Sequence, residues 1–266
     1  MTAEPSTSGR PTTTWLARRN PTVKLALLFV CSAVTLFLLD PLTLAVLYAI
    51  AMVGVGVSAR VPWRTLLTAQ LPFAAFGAGL VVVNALSRPG EVVLPGLPVR
   101  VTAEGLVIGL ALALRTLVIG VLSIGFLAST SPQLLMTSLT QHARLSPRVS
   151  YSMLAGYRLL HVLPQQWQTI RNAHAVRARL GRHGEPVFGP RAFARSTFAL
   201  LVVSIRAGER IALALESRGL GTGPRTTWRP VPLDRRDVVF VLAVVAAVVV
   251  VVVGCGPVGI GGVGRG

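Results

Sequence analysis

Two short motifs carry the most pointed chemistry in the chain, Ala175-Val-Arg-Ala178-Arg179 and Ala214-Leu-Glu-Ser217-Arg218. Both read Ala-x-x-(Ala/Ser)-Arg, with Gly181 close behind the first and Gly219 directly after the second. An arginine in the last helical turn lies favourably against the helix dipole, and a glycine past the end accepts the left-handed cap. One such copy is an ordinary helix C-terminus. Two copies, each holding a planar guanidinium on a rigid stop beside a small residue, predict an interaction surface suited to carboxylates.

Other chemistries are excluded by what the sequence lacks. The single lysine, Lys24, follows Val23, so there is no Gly-Lys-Ser/Thr phosphate loop and the chain is not an ordinary ATP hydrolase. No His-Glu-x-x-His occurs, and His142, His161, His174 and His183 lack ligand spacing, so no metal site is expected. A Gly-x-Ser-x-Gly elbow is absent as well. The apolar runs contain almost no acids, which argues against a relay of intramembrane carboxylates. Cys31 and Cys255 form no disulfide or zinc pattern.

The elements that must position the two arginines are read from hydropathy. Only 13% of the 266 residues are charged, against about 25% in a soluble domain, and the mean hydropathy is +0.66. The fold class is therefore an all-α polytopic membrane protein. A hydrocarbon core of about 30 Å needs roughly 20 apolar helical residues. Five runs qualify in or near that range: residues 23–39, 42–59, 65–87, 105–130 and 238–254. The expected organisation is an N-terminal segment (1–22), helices 1–4 (23–130), an arginine-rich module of long helices (131–237), a fifth span (238–254) and a flexible glycine-rich tail (255–266). Lys24 is placed to snorkel at the start of the first span. Arg115 interrupts the fourth; its cost in a membrane predicts that it faces protein or water, either bonding carbonyls or serving function.

Within the module, Ser131-Pro132 predicts a helix ending near Ser146-Pro147, followed by a second over 148–180 with a bend at Pro164 and a third over 190–220. The third carries a stripe, Leu201, Ile205, Gly208, Ala212 and Leu215, at helical spacing, which predicts one face packing on another helix. Gly208 and Ala212 would let two backbones approach. A rival reading makes the region near 196–205 a sixth span. Its charge-free length is short and arginines flank it, so a helix at or under the membrane surface is preferred.

There are 26 basic and 9 acidic residues, a net charge of +17. Such a balance in a soluble chain would suggest nucleic acid; here the hydropathy sets that aside, and the arginines fit the positive-inside bias instead. With five spans and the module inside, the N-terminus is cytoplasmic and the chain is a multi-pass cell-membrane protein embedded in the lipid bilayer.

These residues resemble a known family. The chain is similar to the transmembrane T component of energy-coupling factor (ECF) transporters, the CbiQ/EcfT type. The resemblance rests on Arg19-Asn-Pro21-Thr-Val-Lys24-Leu, on Arg115, on Tyr157-Arg158-Leu-Leu-His-Val-Leu-Pro164, on the paired arginine motifs, and on Gly223-Pro-Arg225-Thr-Thr. It implies a non-catalytic scaffold whose cytoplasmic helices couple two ABC-type ATPase subunits to one small membrane substrate-binding protein, the S component. It assigns Arg179 and Arg218 to grooves on the ATPases, one each, with Ala178, Ser217 and Gly219 as small neighbours. No cofactor is implied for this chain, because ATP would be bound by the partners. Leu180 departs from the family's small residue at that position. The cargo, a vitamin or a transition-metal ion, is held by the S component in this family. The alternative is a conventional ABC importer permease that forms its own substrate path.

Overall fold

The computed structural model describes residues 14–91, 101–143, 145–177, 188–220 and 230–260, and every regular element among them is helical. After a 3-10 turn at Leu16–Arg18 come α1 (Pro21–Leu36), α2 (Pro41–Ala59), α3 (Trp63–Ser87), α4 (Ala103–Ser129), α5 (Pro132–His142), α6 (Pro147–Ala175), α7 (Pro190–Ser217) and α8 (Arg235–Ile260). Several starts share one device. Asn20, Asp40 and Ser146 each precede a proline and accept a backbone N–H from Thr22, Thr43 and Val149 respectively. The side chain supplies one missing acceptor, and the proline at the first helical position has no N–H to satisfy.

Among the described residues, four helices are long and apolar enough to cross a membrane: Pro41–Ala59, Trp63–Ser87, Ala103–Ser129 and Arg235–Cys255. The expected first span is the shorter apolar helix α1, which stops at Leu36 because Phe37 and Leu38 turn their N–H groups back onto Val34 and Thr35. At the other end of the sequence, α8 runs on through Ile260, so residues 255–260 are helical rather than part of a glycine-rich tail. An uninterrupted apolar run satisfies its own backbone best as helix, and that preference carries past Gly254 and Gly256.

The described chain forms two compact units, Met1–Ser131 with Pro232–Gly266, and Pro132–Val231. In the first, α3 and α4 pack along their length through glycines. A Cβ on Gly109 would come within 2.8 Å of the Val81 Cα, and one on Gly77 within 3.1 Å of the Ala113 Cβ. Small residues let backbones meet where lipid gives no hydrophobic drive to association. α2 packs on the other side of α4, where Val55 closes over Gly125, and Met52, Ala59, Leu66 and Val121 form a core with Leu16. The second unit is the three-helix array α5–α7. Ser138 and Ser196 are fully buried there, and the Thr140 and Ser150 hydroxyls meet at 2.6 Å between α5 and α6.

Candidate coupling site at the helix ends

α7 has 28 residues, about 42 Å at 1.5 Å per residue, long enough to act as a rod. It is seated on α6 by aromatic contacts near its start. Trp167 meets Phe193 edge-on at 5.6 Å, and the Arg171 guanidinium lies 5.1 Å over the Phe188 ring. The far end is the second arginine motif. Ser217 is the last helical residue and Arg218 the C-cap. Gly219 follows at φ 72°, in the left-handed region. Its N–H donates to the Glu216 carbonyl at 2.8 Å, and the Leu220 N–H reaches back to Leu215 at 3.0 Å. That pair of bonds is the Schellman termination, which needs a residue tolerant of positive φ at the glycine position. Ser217 donates its hydroxyl to the Ala214 carbonyl at 3.1 Å. Arg218 is exposed on this fixed stop, with its backbone pinned on both sides.

The first motif is reached less fully. α6 ends at Ala175, and the Val176 N–H is shared between Asn172 and His174 while Arg177 bonds His174, a tightening of the last turn. The helix therefore stops at the first residue of the motif, short of the expected 180. Ala178 and Arg179 lie outside the described residues, as do Gly181 and Arg225. Pro164 sits inside α6, which remains one helix across it.

The stripe on α7 is uncovered within its unit. Leu201 and Ile205 are each more than half exposed, Ala212 is exposed, Gly208 and Leu215 are half-buried, and a Cβ on Gly208 would meet nothing within 4 Å. The face that does pack within the unit carries buried Ser196, one strip round the helix. Phe198 and Leu213 extend the exposed apolar surface. α7 is thus amphipathic, with an apolar strip that the described residues of its own unit do not cover.

Arg115 is tied to the protein. Its guanidinium donates to the carbonyls of Leu36 at 3.1 Å and Leu38 at 2.9 Å, closing the end of α1 from the middle of α4. Carbonyls freed where α1 stops short would otherwise lack partners in hydrocarbon.

Sequence reasoning missed a buried ionic knot. Lys24 does not snorkel: it is 5% exposed and donates to the Ser129 carbonyl at 3.0 Å and hydroxyl at 3.2 Å. Arg19 lies 4.2 Å over the Trp15 ring and 4.0 Å from the Asp237 carboxylate, both charges buried. Asp237 also accepts the N–H groups of Asn20 and Asp234. The available signal was an acid, Asp237, at the entry to an apolar run, with Arg19 and Lys24 flanking the entry to another. Among the described residues, no group of three His, Cys, Asp or Glu side chains could hold a metal ion.

A family model described as CbiQ, cobalt transport protein, matches residues 12–228. A Bifidobacterium longum protein that bears the name of an ABC transporter ATP-binding protein is 24% identical over 260 residues, covering 94% of this chain and 33% of that protein. The chain spans about a third of that relative's length.

Proposed function

The chain belongs to the CbiQ cobalt transport protein family, and on that premise we propose that it is the transmembrane coupling subunit of an ATP-driven importer of the energy-coupling factor type. It catalyses nothing itself. It joins two ABC-type ATPases to a small membrane protein that binds the cargo, a vitamin or a transition-metal ion such as cobalt. The absence of a Walker lysine makes nucleotide chemistry a partner's task. A relative named for ATP binding, in which the part similar to this chain is one third of the polypeptide, supports such a partnership. The N-terminus and the α5–α7 unit are cytoplasmic in this reading, because the arginines concentrate there.

The observation that carries the reading is the end of α7. Arg218 is exposed on a Schellman stop, at the tip of a helix of about 42 Å. An arginine whose backbone is fixed in this way can send its guanidinium into a groove on another protein and take a carboxylate with two parallel bonds. Motion of that groove is then passed into a stiff helix instead of being lost in a flexible side chain. Arg179 performs the same task for the second ATPase. The uncovered strip at Leu201 and Ile205 is the surface for the cargo-binding partner.

Arg218→Ala tests this directly. Removing one partner of a buried, hydrogen-bonded ion pair costs about 3–5 kcal/mol. Co-purification of the ATPases and cargo uptake are expected to fall by two orders of magnitude or more, on the scale of about 1.4 kcal/mol per tenfold, while membrane insertion is unchanged. Intact complexes with unchanged uptake would refute the assignment.

A further inference from the structure

The first unit contains a groove of about 380 Å³, walled by α1, α2, α4 and α8. Leu28, Leu47, Gly54, Leu122 and Ala247 are typical of its lining, which is apolar apart from Lys24 and Ser58 near one end. Along α2 the lining runs from Leu47 to Ser58, roughly 16 Å at 1.5 Å per residue. That is close to half of a hydrocarbon core of about 30 Å, the depth of one leaflet. α8 forms one wall, and only 6% of its apolar window is buried inside the protein, against 33% for α2 and α4. This side of the groove is therefore built for lipid rather than for further packing.

Among the described residues, the charge at its polar end is unbalanced. Arg19, Lys24 and Asp237 are all more than nine-tenths buried, and two cations face one carboxylate. Asp237 is already occupied by Arg19 and by two backbone N–H groups. Lys24 uses two of its three donors on Ser129 and lines the groove with the rest of its side chain. Arg18 adjoins Arg19 in sequence, and Arg235 and Arg236 directly precede Asp237; all three are exposed and outnumber Asp234, which Arg236 approaches at 3.9 Å. Trp15 stands half exposed at the same end, edge-on to Phe240 at 5.5 Å, where an indole suits the headgroup boundary.

We propose that this groove holds one acyl chain of an anionic phospholipid from the leaflet on the Lys24 side, with the headgroup phosphate taken by Lys24 and the surrounding arginines. The tail fills the apolar slot, and the phosphate supplies the negative charge that the buried cluster lacks. Anionic lipids are concentrated in the cytoplasmic leaflet, the side on which positive-inside orientation places this end. The site does not depend on the ATPase contacts of Arg179 and Arg218.

The test uses the full-length chain in detergent, titrated with phosphatidylglycerol or with phosphatidylcholine of the same tails and read by native mass spectrometry. Gly54→Leu is the decisive variant. Gly54 lines the slot and a Cβ there meets nothing within 4 Å, so a leucine side chain starts into open space and takes up room the acyl chain would use. The wild-type chain is expected to retain one phosphatidylglycerol and to prefer it about fivefold over phosphatidylcholine, the effect of roughly one basic residue beside an anionic headgroup. Gly54→Leu should abolish retention of both lipids, and Lys24→Gln should keep tail binding but erase the preference. Equal retention of the two lipids by the wild type, no retained lipid at all, or undiminished retention by Gly54→Leu would each overturn the proposal.

Discussion

Gly219 decides how the Arg218 guanidinium is presented. Its φ of 72° suits glycine, since a side chain in the left-handed region costs roughly 1–2 kcal/mol. Gly219→Val should therefore loosen the stop, lower the thermal midpoint and weaken ATPase association; Gly219→Asn, which tolerates that region better, should retain most of both. Unchanged association in Gly219→Val, measured by pull-down of the ATP-binding subunits, would detach Arg218's role from its helix cap. This residue-scale geometry was legible in the sequence, because the arginine, the small residue before it and the glycine after it are a local signal. Lys24 was not. Its partner Ser129 is 105 positions away, and nothing near Lys24 marks it as turned inward instead of toward the headgroups. Arg19 and Asp237 are separated by 218 positions, and their pairing was equally hidden.

At the scale of elements, helix starts were readable and helix ends less so. Proline after Asn20, Asp40, Ser146 and Gly189 fixes each start to the residue. The ends of α1 and α6 fall short of the expected positions 39 and 180, because tightened terminal turns end both helices and, for α1, the Arg115 guanidinium donates to the freed carbonyls. The reach of α8 past Gly254 went the other way, its apolar run outweighing the glycines. Helix pairing is set by glycine. A side chain at Gly109 would strike the Val81 backbone, which cannot move aside as a flexible side chain would. Gly109→Leu is expected to destabilise the α3–α4 pair by about 1–3 kcal/mol, visible as a lower melting temperature and faster proteolysis in detergent. Gly79→Leu, where nothing lies within 4 Å, is the matched control and should be silent.

For the molecule as a whole, hydropathy announced a multi-pass helical protein, and the arginine count announced where its charge would gather. Neither could say that the strip at Leu201 and Ile205 stays exposed within its own unit, since composition and period mark an apolar face without marking what it meets. The proposed coupling reading joins the three scales: a chain without a Gly-Lys-Ser/Thr loop carries long helices, and α7 carries Arg218 at its end. Its most direct test is site-specific photo-crosslinking in intact membranes, with benzoyl-phenylalanine introduced in turn at positions 179 and 218 of the assembled transporter. Crosslinks from both positions to ATP-binding subunits, at one copy of this chain per two ATPases, are the predicted result. Adducts confined to lipid, or none from either position while the complex remains assembled, would contradict the account.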